Sequence, residues 1–134
     1  MGTMLMKKIL VADDMPTVFE QAKEIIGDRY DVITAGIEHD VVSVAKGEKP
    51  DVILLDMFMD GDLSENILSD LKADDETKNI PVIMTASDAT IMNISRYYSL
   101  GAADFIKKPF VENVLYRRID VVCALKDDGH FDLI

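Results

Sequence analysis

The run Val52-Ile53-Leu54-Leu55, closed by Asp56, constrains the fold more than any other stretch of the chain. Apolar residues in unbroken succession, two of them β-branched, suit a strand covered on both faces, the habit of a parallel sheet flanked by helices. A strand with one wet face would alternate instead. The run ends in an acid, and open α/β sheets turn the carboxyl ends of their strands toward the crevice where ligands bind. A second run, Lys8-Ile9-Leu10-Val11-Ala12, ends the same way, at Asp13-Asp14.

The segments between these runs carry helical spacing. Pro16 suits a first helical turn, and Val18, Phe19, Ala22, Ile25 and Ile26 recur on one face until Gly27. Tyr30 to Ala35 reads as a strand with a polar start, near a sheet edge. Ile37, Val41, Val44 and Ala45 form a weaker helix closed by Gly47. Met57 to Leu63 reads as a loop containing Gly61, with Ser64 capping a helix that carries Ile67, Leu68 and Leu71. After a polar connection from Ala73 to Asn79, Pro81 to Thr85 reads as a fourth strand ending in a hydroxyl. Asp88 caps a helix from Ala89 to Leu100 whose apolar stripe is thin, because Thr90, Asn93, Ser95, Arg96 and Ser99 interrupt it. Gly101 ends that helix. Asp104-Phe105-Ile106 is a short last strand leading to Lys107-Lys108-Pro109, and Val111, Leu115, Ile119 and Val122 mark a final helix. Strand alternates with helix five times. That order predicts a doubly wound α/β domain with parallel strands, right-handed crossovers and helices on both faces.

With 134 residues, 49% of them hydrophobic, the chain is one domain. A domain of this size buries roughly two-thirds of its unfolded surface. The net charge of −11 opposes direct binding to nucleic acid or to an anionic membrane, since both repel an acidic surface. Cys123 is the single cysteine, in an apolar helical pattern, and is expected to be a buried, inert thiol in a reducing cytoplasm. No apolar run approaches a membrane span. Met1 to Met6 are expected to be a disordered start, residues 7–126 the folded domain, and 127–134 a tail, or a linker to a missing output domain. His39 and His130 are expected to face solvent. Arg117 and Arg118 read as a solvated helix face, with an interface salt bridge for one of them as the alternative.

Parallel strands would bring Asp13, Asp14, Asp56, Thr85 and Lys108 to one edge of the sheet. Clustered carboxylates must either hold a proton or recruit a cation. Mg²⁺, or Mn²⁺, suits an all-oxygen site and keeps waters that a phosphate can replace. The lysine and the hydroxyl would complete an anion site. Phosphoryl transfer needs little more, because its transition state spreads charge over oxygens that a cation and a lysine neutralise. Asp56 would be the nucleophile.

In this order and at these spacings, Ile-Leu-Val-Ala-Asp13-Asp14, Leu-Leu-Asp56-Met-Phe-Met, Thr85-Ala86 and Gly101-Ala-Ala-Asp-Phe105-Ile-Lys-Lys108-Pro109-Phe110 resemble the receiver domain of two-component response regulators. The resemblance covers Lys7 to about Lys126. It implies a flavodoxin-like (βα)5 three-layer sandwich with a five-stranded parallel sheet in the order 2-1-3-4-5. It implies that Asp56 accepts a phosphoryl group from a sensor histidine kinase or phosphotransfer protein. Asp14, Asp56 and the Phe58 backbone carbonyl would hold Mg²⁺ directly, and Asp13 mainly through water. Thr85, Lys108 and the Ala86 backbone would contact the phosphoryl oxygens, and Thr85 with Phe105 would form the switch. The Lys108-Pro109 bond would be cis. The fourth helix, last strand and last helix would face an output domain or protein partner, with a homodimer left open. Two departures stand out. Asp60 and Ser64 occupy places where the family commonly has Pro and Gly, and Phe58 and Ser87 stand at two positions that tune phosphoryl lifetime.

This reading makes the chain a signalling phosphoacceptor that catalyses only its own phosphorylation and slow hydrolysis. An aspartyl-phosphate hydrolase is the enzyme alternative, but Asp56-Met57-Phe58 lacks the second carboxylate two residues on that such an enzyme uses as acid and base. Flavin binding on the same topology would need a Ser/Thr/Gly-rich phosphate cradle, which the loops lack. The output is open. A receiver excised from a longer regulator would carry a diguanylate cyclase, toward which Asp132-Leu133-Ile134 faintly points, or a DNA-binding domain.

Overall fold

The computed structural model describes residues 6–36, 39–59, 61–87 and 91–127. Five parallel strands form one sheet: β1 (Lys8–Ala12), β2 (Asp31–Ala35), β3 (Val52–Asp56), β4 (Val82–Ala86) and β5 (Asp104–Lys107). Their order, β2-β1-β3-β4-β5, is the expected doubly wound one. The helices are α1 (Pro16–Ile26), α2 (Val41–Glu48), α3 (Glu65–Ala73), α4 (Ile91–Ser99) and α5 (Glu112–Asp127).

The central strand shows why its sequence does not alternate. Every residue of β3 is buried, and successive side chains enter opposite cores. Ile53 and Leu55 join Leu10, Val82 and Met84 beneath α2, α3 and α4, with Val41, Leu68, Leu71 and Tyr97. Val52 and Leu54 join Ile9, Val11 and Ile83 beneath α1 and α5, with Ile26, Leu115 and Ile119. Truncating a side chain such as Leu54 to alanine is expected to cost about 2–5 kcal/mol.

Several local expectations are corrected. Gly47 does not close α2. The helix runs through it to Glu48, and Lys49 makes the cap in the left-handed region, at φ 51°. Asp40 starts the same helix, accepting bonds from the Val42 and Ser43 amides. Ser64 precedes α3, but its side chain makes no cap bond. The segment after β3 is not a plain loop: Phe58–Met59 pairs antiparallel with Asp62–Leu63, turning through Gly61 at φ 80°. Val111 lies before α5 and is exposed. Arg118 is not simply solvated, since it pairs with Asp104 on β5 at 2.8 Å. Ile37, Asp60, Asp88, Ala89, Thr90 and His130, with the Met1 to Leu5 start and the tail beyond Asp127, lie outside the described residues. Cys123 is buried, and burial pushes its thiol pKa up.

Candidate phosphoacceptor site

The acids converge because β1 and β3 are neighbours in parallel register. Ala12 pairs with Leu55, so the residues that follow, Asp13 and Asp56, emerge side by side. One oxygen each from Asp13, Asp14 and Asp56 lies within 4.8 Å of the others. Asp13 is fully buried and Asp56 is 5% exposed, while Asp14 reaches solvent. On the other side of β3, Thr85 pairs with Asp56 and is itself buried. The turn after β5 sends Lys108 back over the group. Its Nζ lies 2.8 Å from Asp13 Oδ2 and 3.2 Å from Asp56 Oδ1. The Lys108-Pro109 peptide is cis, and the Lys108 amide donates to the Ala86 carbonyl at 2.8 Å.

Electrostatics follow from this crowding. Burial, with the charge of Asp13 added, raises the Asp56 pKa from 3.8 to about 6, although Lys108 and the Phe58 amide oppose the rise. Burial works against the charge of Lys108, but Asp13 and Asp56 outweigh it and hold its pKa above the ordinary value. The lysine is therefore a permanent cation in a pocket with more negative than positive charge.

The donors fit a hard divalent cation. All are oxygens, they are mutually close, and their excess negative charge is only partly met by one ammonium. A groove of about 360 Å³ lined by Met15, Val18, Ser87, Lys108 and Pro109 opens beside the lysine. A larger hollow, about 1140 Å³, lies at the opposite edge of the sheet between Lys8, Tyr30 and Asp51, away from these groups.

Of the other residues singled out in the sequence, Phe58 is 45% exposed just beyond Asp56, and its amide lies 3.4 Å from Asp56 Oδ1. Phe105 is half-buried on β5 against the core beneath α4. Ala86 is buried at the end of β4. His39 is exposed, and its Nδ1 accepts from the Gly36 amide, away from the acids.

Two contacts near the site were not foreseen from the sequence, one made by Tyr97 and one by Ser64. Tyr97 of α4 is fully buried, and its hydroxyl donates to the Met57 carbonyl at 3.0 Å. Ser64 donates from Oγ to the Asp56 carbonyl at 2.6 Å. A usable signal was the i, i+3 spacing of Ile94 and Tyr97, which places an aromatic on the inner stripe of a helix otherwise rich in polar residues.

A doubly wound parallel sheet with a buried acid cluster and a lysine at its carboxyl edge defines the class. Comparison with known proteins gives the family. The family model described as response regulator receiver domain matches residues 9–120. PilH of Pseudomonas aeruginosa is 32% identical over 120 residues, covering 89% of this chain and 99% of PilH. The phosphate regulon transcriptional regulatory protein PhoB of the same organism is 33% identical over 129 residues, covering 94% of this chain but 56% of PhoB. A response regulator receiver modulated diguanylate cyclase from Pelobacter carbinolicus superposes with a TM-score of 0.75 at 27% identity, over 93% of this chain and 98% of that one. The chain belongs to the response regulator receiver domain family, a family of signalling domains. It spans nearly all of PilH and about half of PhoB. Among the described residues no helix is long and apolar enough to cross a membrane.

Proposed function

We propose that this chain is a receiver whose Asp56 accepts a phosphoryl group from a sensor histidine kinase or phosphotransfer protein and whose switch then acts on an output domain or protein partner. The observation that carries the reading is the meeting at one sheet edge of Asp13, Asp14 and Asp56, with an oxygen of each within 4.8 Å of the others, and of Lys108, paired with Asp13 and Asp56.

An Asp56 carboxylate oxygen attacks phosphorus, the bond from phosphorus to the donor imidazole nitrogen breaks, and that nitrogen keeps the electron pair. The product is an acyl phosphate. Lys108, already between Asp13 and Asp56, turns to a phosphoryl oxygen and offsets its charge. Thr85 Oγ1 donates to a second oxygen, and the Ala86 backbone lines the same side. In hydrolysis, water attacks phosphorus, the acyl oxygen leaves with the electron pair, and inorganic phosphate and the Asp56 carboxylate are released. Asp13, Asp14, Asp56 and the Phe58 carbonyl would hold Mg²⁺ or Mn²⁺, which supplies neutralisation of phosphoryl charge when bound.

The receiver occupies residues 7–126, with 1–6 as a leading segment and 127–134 as a tail or linker. Thr85 and Phe105 transmit the change to the face of α4, β5 and α5, where an output domain, a partner protein or a second copy binds. We place the reaction in the cytoplasm. A DNA-binding or diguanylate cyclase output is the second reading, favoured by likeness to PhoB and to the Pelobacter receiver. The test is labelling by acetyl phosphate, expected to require Mg²⁺ and to vanish in Asp56→Asn. Labelling that persists in that variant overturns the assignment.

A further inference from the structure

The segment after β3 closes on itself through two residues outside the acid cluster. The Ser64 amide donates to the Met57 carbonyl at 2.8 Å and to the Tyr97 hydroxyl at 3.1 Å. The same hydroxyl donates to the Met57 carbonyl at 3.0 Å. Ser64 Oγ ties back to the carbonyl of Asp56 itself, at 2.6 Å. On the far side, the Met57 amide donates to the Thr85 carbonyl at 2.8 Å. Tyr97 and Ser64 are both buried, and among the described residues no buried side-chain donor or acceptor is left without a partner. Burial raises the Tyr97 pKa to about 12, so the phenol keeps its proton at physiological pH and can donate and accept at once.

Phe58, whose carbonyl would face the cation, begins the short antiparallel ribbon that Met57 and Ser64 close. We propose that Tyr97 and Ser64 are positioning residues: they lock the neck of this ribbon so that the Phe58 carbonyl and the Asp56 carboxylate are already set for a divalent cation. This inference rests on the phosphoacceptor reading above. Mg²⁺ demands near-ideal octahedral geometry, so a loop fixed beforehand binds it more tightly than one that must be ordered on binding. Tyr97 also makes α4 a direct partner of the loop, a connection that does not run through Thr85 or Phe105.

The test uses the full chain and two variants, Tyr97→Phe and Ser64→Gly. Mg²⁺ affinity is read from amide NMR shifts of Asp14 and Phe58, and Ser64 amide exchange is read in metal-free protein. Tyr97→Phe is expected to raise the Mg²⁺ Kd about tenfold, the scale of one lost buried hydrogen bond. Ser64 exchange should quicken by a similar factor. Acetyl phosphate labelling should slow at limiting Mg²⁺ and recover at saturating Mg²⁺, a split that mere loss of stability would not produce. Ser64→Gly keeps the amide but removes Oγ, and should weaken Mg²⁺ binding in the same direction; it carries the test if Tyr97→Phe does not fold. A Kd within twofold of the parent in the folded variants overturns the positioning role. A parent chain that binds no Mg²⁺ overturns the phosphoacceptor reading, and this inference with it.

Discussion

Lys108 Nζ lies 2.8 Å from Asp13 Oδ2 across 95 residues of chain, closer than its 3.2 Å to Asp56. The lysine therefore offsets the buried acid that follows β1 as well as Asp56. Removing one partner from a buried ion pair is expected to cost about 3–5 kcal/mol, because the other charge is left uncompensated. Lys108→Met should lose stability of that order in urea at neutral pH without metal. Saturating Mg²⁺ or mildly acidic pH should restore much of it, by replacing the cation or protonating an acid. A loss that neither condition restores would assign the lysine to packing instead.

Asp56 predicts a pH dependence of its own. Folding raises its pKa from 3.8 to about 6, so between those values the native chain binds more protons than the unfolded one. Stability then falls as pH rises through that window, by on the order of 2–3 kcal/mol in metal-free protein, and stays low above it. Asp56→Asn removes the penalty. Urea melts should find the variant more stable than the parent at neutral pH and little different near pH 4, with the parent's slope between flattened. Equal slopes in the two proteins would show that Asp56 is not the group responsible.

The fold was legible because two of the three inner strands, β1 and β3, announce themselves. Ile9 to Val11 and Val52 to Leu55 are apolar without alternation, and each ends at an acid that parallel pairing carries to the same edge. Lys108 and Thr85 followed once the strands were ordered. The loop after Asp56 was less legible, since its two-residue pairings are too short to have a period. Ser64 resembles a helix cap in sequence, and only the fold shows its Oγ turned toward Asp56 instead. Tyr97 was missed for a related reason: a lone aromatic in a polar helix has a visible apolar face, but its hydroxyl's partners lie 40 and 33 residues away. Gly47 misled because glycine can remain within a helix at a modest cost in propensity, here at an open position where an added Cβ would meet nothing.

Beryllofluoride with Mg²⁺, an acyl phosphate mimic, should perturb amides from Thr85 to Phe110 more than those of α1. Thr85 sits beside Asp56, Phe105 leans on the core beneath α4, and Tyr97 joins α4 to the Met57 carbonyl. The α1 helix meets this region through Gln21, whose Oε1 accepts from the Phe110 amide at 3.3 Å, and through Val18 in the groove beside Lys108, but it carries none of the switch residues. Moving a two-state equilibrium from 1:99 to 99:1 takes about 5.5 kcal/mol of preferential binding. An NMR titration measures how much of that the mimic delivers. Shifts confined to α1 would place the switch elsewhere.

Phe58 sets the last expectation. The residue is 45% exposed, and its amide lies 3.4 Å from the Asp56 carboxylate, so it stands next to the proposed acceptor. Water must reach phosphorus opposite the acyl oxygen for the phosphoryl group to be lost, and a bulky apolar side chain beside Asp56 is expected to impede and desolvate that approach. Phe58→Asn should admit and orient water, speeding dephosphorylation at least threefold, about 0.7 kcal/mol in barrier. Stability should change little, since Phe58 is already exposed. Release of labelled phosphate after kinase or acetyl phosphate is removed measures the rate, and an unchanged or slower decay would leave Phe58 without a part in phosphoryl lifetime.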